Sequence, residues 1–349
     1  MAELVRALAD LRLADTALVG GKAASLGELV AAGTAVPPGF AVTTAAFRDA
    51  LSTLDQSSVD GLDPGDVAAL ARVTAGIRAE IERAPLPEPL CDAILAAYAS
   101  LRGAAVGPAL GPAVAVRSSA TAEDSADASF AGLQDTYLWV RGAAALLAHV
   151  RRCWASLYSA ESVSYRLRRG IPERDLAMGV VVQRMVDARC AGVMFTRSPL
   201  SGDRSVVAVE ACLGLGSALV SGEVTPDRFV VSKVTGEILT RSVAAKPVRH
   251  RMDPRGTGVV AEEVPEPERS ACALTDAEVT ALVAAAKRIE RHYGTPQDIE
   301  WALSTADELY LLQSRPETVW SPRDATPVAV PRTHAFDHVL HLLGGQAPE

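Results

Sequence analysis

The sequence predicts a mixed α/β (α+β) protein of about two domains, and three observations carry that expectation. The chain has 349 residues, and a domain takes roughly 150. Short Val-rich runs bounded by Gly, Pro or Asp alternate with longer stretches in which Ala, Leu and Val recur at helical spacing. Strands intermixed with helices in this way exclude an all-helical bundle. Hydrophobic residues make up 49% and charged residues 22%, so a chain of this length can bury a core without disulfides or metals.

The elements follow in order. Residues 13–32 read as a turn into a helix, with Lys22 at the helix start after Gly20-Gly21 and Gly33 at its end. Residues 36–43, with Pro37-Pro38, read as a stiff extended connector. Residues 66–103 hold two helical stretches separated by Pro85, Pro87 and Pro89. Residues 113–116 form a short apolar strand, and a polar loop from Arg117 to Asp127 follows it. Another strand (135–140) precedes one long amphipathic helix at 143–168. Strands at 177–186 and 190–196 meet at a turn at Asp187-Ala188. Strands at 206–212 and 228–232 flank a glycine loop, Gly214-Leu215-Gly216, and 252–274 reads as loop. Thr275-Asp276-Ala277-Glu278 has the form of a capping box and starts a helix that stops at Gly294. Strands at 298–303 and 308–314 make a hairpin around Thr305-Ala306-Asp307. A Pro-rich linker and an amphipathic tail at 336–343 complete the chain. The expected divisions are 1–195, 196–320, and a linker with tail at 321–349.

Composition excludes several classes. The net charge of −8 argues against a nucleic-acid binder held by phosphate contacts. No apolar run approaches the ~18 residues that span a bilayer, and the start carries acidic residues with no secretory pattern. The expectation is a cytoplasmic protein with no membrane and no nucleic-acid partner. Five cysteines, an odd number with no C-x-x-C pair, read as buried free thiols. There is no Asn, and only Lys22, Lys233, Lys246 and Lys287 break a strong preference for Arg.

Three segments carry candidate chemistry. Gly20-Gly21-Lys22 puts a cation at a helix N-terminus, which favours an anion. It is not a Walker A loop, because Thr16 and Ala23 stand where Gly and Ser or Thr are needed. Arg117-Ser118-Ser119 follows a strand, and an Arg there suits bidentate contact with phosphate. Glu300 lies on one hairpin strand, with Gln313 and Arg315 sharing a face of the next. Carboxylate and amide oxygens are hard ligands for Mg²⁺, which keeps phosphate and water as its others. Each segment alone also reads as an ordinary solvated turn, loop or hairpin face.

Together the segments amount to a resemblance. The runs GGKAASLGEL, VPPGFAVTTAAF, AVRSSATAEDS, SFAGLQDTYL, VVVQRMV, AGVMFTRSP, GLGSALVSGEVTPDRFVV and QDIEWAL…LYLLQSRP occur in this order. The chain resembles, over about 13–320, the ATP-binding domain of the phosphoenolpyruvate synthase and pyruvate phosphate dikinase family, which includes rifampicin phosphotransferase. The resemblance implies an ATP-grasp fold, two α/β subdomains clamping ATP and Mg²⁺. It implies Lys22 and Arg117 on phosphates, Gly132 and Thr136 lining the nucleotide, and Gln183 at the adenine end beside the Val186 backbone. It further implies Glu300 and Gln313 on Mg²⁺ and Arg315 on the terminal phosphates, with Lys22, Arg117 and Arg315 as the catalytic set.

The implied activity is phosphotransfer, in which the β-phosphate of ATP passes to a carrier His, giving AMP and phosphate. That His and the acceptor site belong to further domains of the family, so a separate His-bearing, acceptor-binding partner is expected. Two departures stand out: Leu133 where the family commonly has Gln, and Ser217 where an acid is frequent. His334, His338 and His341 fall on one face of the tail. A self-sufficient small-molecule kinase or ligase, and a non-catalytic nucleotide-binding module, remain open alternatives.

Overall fold

The computed structural model describes residues 3–52, 54, 57–59, 61–102, 111–121, 124–125, 128–129, 135–173, 176–256 and 258–320. Gly132, the linker and the tail with its three histidines lie outside them.

The first part of the chain runs β1 (Val5–Ala7), α1 (Thr16–Val19), α2 (Gly21–Ala31), β2 (Gly39–Val42), α3 (Thr44–Ala50), α4 (Val67–Arg83) and α5 (Glu88–Ser100). It continues through β3 (Val114–Ala120), the short β4 (Asp124–Ser125) and β5 (Ala128–Ser129), β6 (Thr136–Val140), α6 (Ala143–Ser156), α7 (Ala160–Arg169) and β7 (Met178–Arg184). These build an antiparallel five-stranded sheet in the order β1-β2-β7-β3-β6. Alternation along its strands sorts the side chains. Val114, Val116, Val180 and Val182 face a core filled by Phe47, Ile77, Ile94, Val150 and Trp154 from the helices. Ala115, Arg117 and Gln183 face the opposite way, into a cleft.

The second part runs β8 (Ala188–Phe195), β9 (Val206–Leu213), α8 (Ser217–Val220), β10 (Asp227–Ser232), β11 (Ile238–Ser242), β12 (Val248–Met252) and β13 (Val259–Glu263). After α9 (Glu266–Arg269) and α10 (Asp276–Tyr293), β14 (Gln297–Ser304) and β15 (Leu309–Pro316) close it. An antiparallel six-stranded sheet has the order β11-β10-β9-β8-β14-β15. One face packs on α10 through Val207, Phe229, Ile299 and Trp301 against Val279, Leu282 and Ile289. The other face presents Ala191, Val193, Glu300 and Ala302 to the cleft. The capping box at Thr275 and Glu278 is present, and Gly294 ends α10 in the left-handed conformation.

Helix α2 joins the two halves. Ala23, Ala24, Leu26 and Leu29 share one core with Ala41 and Val181 of the first sheet and with Trp301 and Leu311 of the second. Ser25 Oγ donates to the Ser314 carbonyl at 2.5 Å. Among the described residues, no helix is long and apolar enough to cross a membrane.

Several expectations need correction. β7 and β8 do not pair with each other but lie in different sheets. The chain therefore changes sheets at 185–187, earlier than the expected 195/196 division, and β8 belongs with the second part. The connector at 36–43 contains β2, paired with both β1 and β7. Arg117 sits within β3, not in a loop, because the hydroxyls of Ser118 and Ser119 find partners inside the fold. The long helix is two, broken where the Ser159 side chain accepts from the Ser162 amide and caps α7. The stretch 252–274 holds β13 and α9. Cys153, Cys190 and Cys212 are buried, whereas Cys91 is half-buried and Cys272 is exposed.

Candidate active site

Between the two sheets lies a cavity of about 280 Å³. At one end Arg117 reaches across from β3. Its Nη1 donates to the Leu312 carbonyl at 3.0 Å, and its Nη2 to Gln313 Oε1 at 2.6 Å and Glu300 Oε2 at 3.2 Å. One guanidinium thus ties the first sheet to both strands of the β14–β15 hairpin. Its side chain is 11% exposed, which strengthens these charge-assisted bonds relative to the same contacts in water. Glu300 and Gln313 are direct cross-strand partners, so their side chains project to the same face.

Two residues back along β14, Asp298 shares the face of Glu300 and pairs with Arg315. Arg315 Nε lies 3.5 Å from Asp298 Oδ2. Burial pushes the Asp298 carboxyl up to about 6; Arg315 opposes that shift and Glu317 adds to it. The sequence reading does not single out Asp298. The i, i+2 spacing of Asp298 and Glu300 on a strand is the signal that could find it.

Lys22 stands in the first turn of α2, half-buried. The glycine at position 20 is a steric necessity. Gly20 has φ +80°, and a Cβ there would lie 1.9 Å from the Ser119 carbonyl oxygen. The Ala23 amide also donates to Ser119 Oγ at 3.1 Å. The start of α2 is therefore pinned to β3 two residues from Arg117. Ser118 Oγ donates to the Asp135 carbonyl at 3.2 Å. The hydroxyls behind Arg117 thus hold the fold together.

The far end of the cavity is the crossing between the sheets, where Gln183, Met185 and Val186 line the wall. Gln183 Nε2 donates to the Pro37 carbonyl at 3.2 Å, which makes its other amide atom an acceptor. Thr136 lines the cavity beside Arg117, its cross-strand partner. The structure thus brings Arg117, Thr136, Gln183, Val186 and Glu300 onto one wall-to-wall cavity. Gln313 joins them through Arg117, while Lys22 and Arg315 stand outside its lining. Among the described residues, no histidine lines the cavity, and no cluster of three His, Cys, Asp or Glu could hold a metal.

A family model described as the pyruvate phosphate dikinase AMP/ATP-binding domain matches residues 16–335. The chain belongs to that family. Curated relatives of this dikinase-type domain include a rifampicin phosphotransferase of Streptomyces sp, 44% identical over 325 residues, covering 91% of this chain and 36% of the relative. A probable phosphoenolpyruvate synthase of Methanothermobacter thermautotrophicus is 42% identical over 323 residues, covering 91% and 46%. The phosphoenolpyruvate synthase of Pseudomonas aeruginosa is 42% identical over 346 residues, covering 93% and 43%. The chain therefore spans less than half the length of these relatives. Among solved structures, D-alanyl-alanine synthetase A from Vibrio cholerae has 10% identity and covers 86% of this chain and 58% of its own. Its TM-score of 0.28 is too low to add to the fold argument. The α/β expectation, two sheets facing a cleft, rests on the topology itself.

Proposed function

We propose that the cleft binds Mg-ATP and that the chain is the ATP-side component of a phosphotransferase. The observation that carries this reading is the span of Arg117 from the first sheet to Glu300 and Gln313 of the second. A cation poised between two halves, above a carboxylate and an amide oxygen, is suited to a polyphosphate.

The phosphates would lie at the Arg117 end, and the base at the crossing by Gln183 and Val186. Lys22, Arg117 and Arg315 would neutralise phosphate charge, and Thr136 and Gly132 would line the nucleotide. Glu300 and Gln313 fit Mg²⁺, because their oxygens already converge within hydrogen-bond reach of one nitrogen, Arg117 Nη2. Two hard oxygen ligands leave the remaining positions to phosphate and water, as Mg²⁺ prefers. The metal, when bound, would supply further neutralisation of phosphate charge. Arg117 Nη2 would then exchange Glu300 and Gln313 for phosphate oxygens while Nη1 keeps its bond to the Leu312 carbonyl. Positioning and electrostatics are most of what phosphoryl transfer asks of a protein.

With no histidine on the cavity among the described residues, a separate domain or protein is the natural source of a carrier His. It would accept the β-phosphoryl group, leaving AMP and, with water, phosphate. Free cysteines and the absence of any C-x-x-C pair fit a cytoplasmic setting.

Isothermal titration with Mg-ATP tests the site. Lys22→Ala and Arg117→Ala are each expected to lose about 2–4 kcal/mol of nucleotide binding or transition-state stabilisation. Wild-type affinity in both variants would sink the assignment. With β-³²P-ATP, label should appear on an added His-bearing partner in acid-labile, base-stable form. Label passing to a small acceptor without any partner would favour a self-sufficient kinase instead, and binding without turnover a nucleotide-binding module.

A further inference from the structure

The loop after β9 closes one wall of the cavity, and that wall carries a hydrogen-bonded series of three side chains. Ser217 lines the cavity. Its Oγ lies 2.8 Å from Nδ1 of His250 on β12. Nε2 of His250 lies 3.1 Å from Glu223 Oε2. Backbone contacts fix this arrangement. Gly214 bridges to His250, and the Leu215 amide donates to the His250 carbonyl at 2.9 Å. Gly214 has φ +70°, and a Cβ there would stand 2.4 Å from that carbonyl oxygen. Only glycine permits so close an approach.

Hydrogen bonds from Ser221 and His250 hold the Glu223 carboxyl below the usual carboxylate range. An ionised carboxylate only accepts, so His250 Nε2 carries the proton facing it. Nδ1, on the other side of the ring, holds the Ser217 hydroxyl at 2.8 Å. Ser217 Oγ is thereby fixed at the cavity wall with hydrogen-bonding capacity to spare.

The fold also fixes where along the cavity this happens. A Cβ on Gly216 would lie 3.7 Å from Ala191 Cβ. Ala191 pairs with Ala302, midway along β14 between Glu300 and Ser304. On the nucleotide reading above, on which this inference rests, phosphates lie at Glu300 and the base at the crossing near Val186. The middle of the cavity falls to the sugar.

We propose that His250 is a positioning residue that holds Ser217 Oγ in place to bond a ribose hydroxyl, so that the site selects ribonucleotides over deoxyribonucleotides. A sugar hydroxyl can bond that oxygen, and a deoxy sugar lacks the group that would do so.

Titration of the intact chain with ATP, 2′-deoxy-ATP and 3′-deoxy-ATP tests this. Wild type should bind ATP about three- to tenfold more tightly than at least one deoxy analogue, the worth of one neutral hydrogen bond. Ser217→Ala should bring that ratio close to one by weakening ATP alone. His250→Phe should do the same, and His250→Asn, which restores a hydrogen-bonding group near Nδ1, should recover part of it. A general loss of fold would weaken all three nucleotides together and leave the ratio alone. Equal binding of the three by wild type, or a ratio that survives Ser217→Ala, overturns the inference and leaves the nucleotide site standing. A ratio lost in Ser217→Ala but kept in His250→Phe removes His250 from it. Failure of wild type to bind ATP overturns both readings.

Discussion

Asp298, two residues before Glu300 on β14, is a carboxyl whose ionisation the fold opposes. Its carboxyl is pushed up to about 6 from 3.8, chiefly by burial. An acid with a raised folded-state value holds its proton longer in the folded chain than in the unfolded one. Its contribution favours folding below about pH 4 and is lost as pH rises through 6. Asp298→Asn removes that dependence. The variant should gain roughly 2–3 kcal/mol relative to wild type on going from pH 4 to pH 7. Urea denaturation of both proteins at the two pH values measures the difference, and an unchanged gap would show that the carboxyl titrates as in solvent. The cross-strand placement of Glu300 and Gln313 is legible in the sequence because the hairpin turn sets their register. Asp298 is not, because an acid facing an Arg on a strand also describes any solvated sheet edge, and only burial tells the two apart.

Elements are legible where the local chemistry and the tertiary environment agree. Helix α10 is one such case, since its capping box is written in four consecutive residues. Thr275 Oγ1 accepts from the Glu278 amide at 3.3 Å, and the Thr275 amide donates to Glu278 Oε2 at 2.7 Å. Glu278 also bonds Arg189, which holds Asp307 at 3.0 Å, so the cap anchors the start of β8 and the hairpin turn as well. Thr275→Ala should lower stability by about 1 kcal/mol, read as a shift in the thermal midpoint with nucleotide affinity unchanged. Other elements are hidden by their polarity. Strands β12 and β13 pair Arg249 with Glu262 across the ladder, and such a charged hairpin has no apolar alternation to betray it. The sequence cuts β3 short at Arg117 because Ser118 and Ser119 look like loop residues until their partners, the Asp135 carbonyl and the Ala23 amide, are in place. β2 lies behind Pro37-Pro38, whose influence ends before the strand begins at Gly39.

At the scale of the whole molecule, the proposed nucleotide contacts come from two sheets and one helix that bridges them. Both sheets line the cavity, and Arg117 links them directly. A polyphosphate drawing on both sides should bring them together. Solution scattering with Mg²⁺ and a non-hydrolysable ATP analogue should show a smaller radius of gyration than without it. Coincident profiles would mean a rigid site or none. The mixing of helices and strands is legible in the sequence. The exchange of sheets at 185–187 is not, because adjacent strands joined by a short turn read as a hairpin until their neighbours are known.

Helix α2 also bears on how the chain reaches this structure at all. Ser25 leaves the ribosome 289 residues ahead of Ser314, to which it bonds, and the apolar face of the same helix rests on Leu311. Contacts so distant in sequence close late. The helices and sheet of the first part can assemble as they emerge, since their core draws on residues up to Val182. One side of α2 must meanwhile wait uncovered while the whole second sheet is made. A nascent chain of this protein therefore carries a sticky surface until the β14–β15 hairpin arrives, and that interval is when a holdase chaperone would find something to bind.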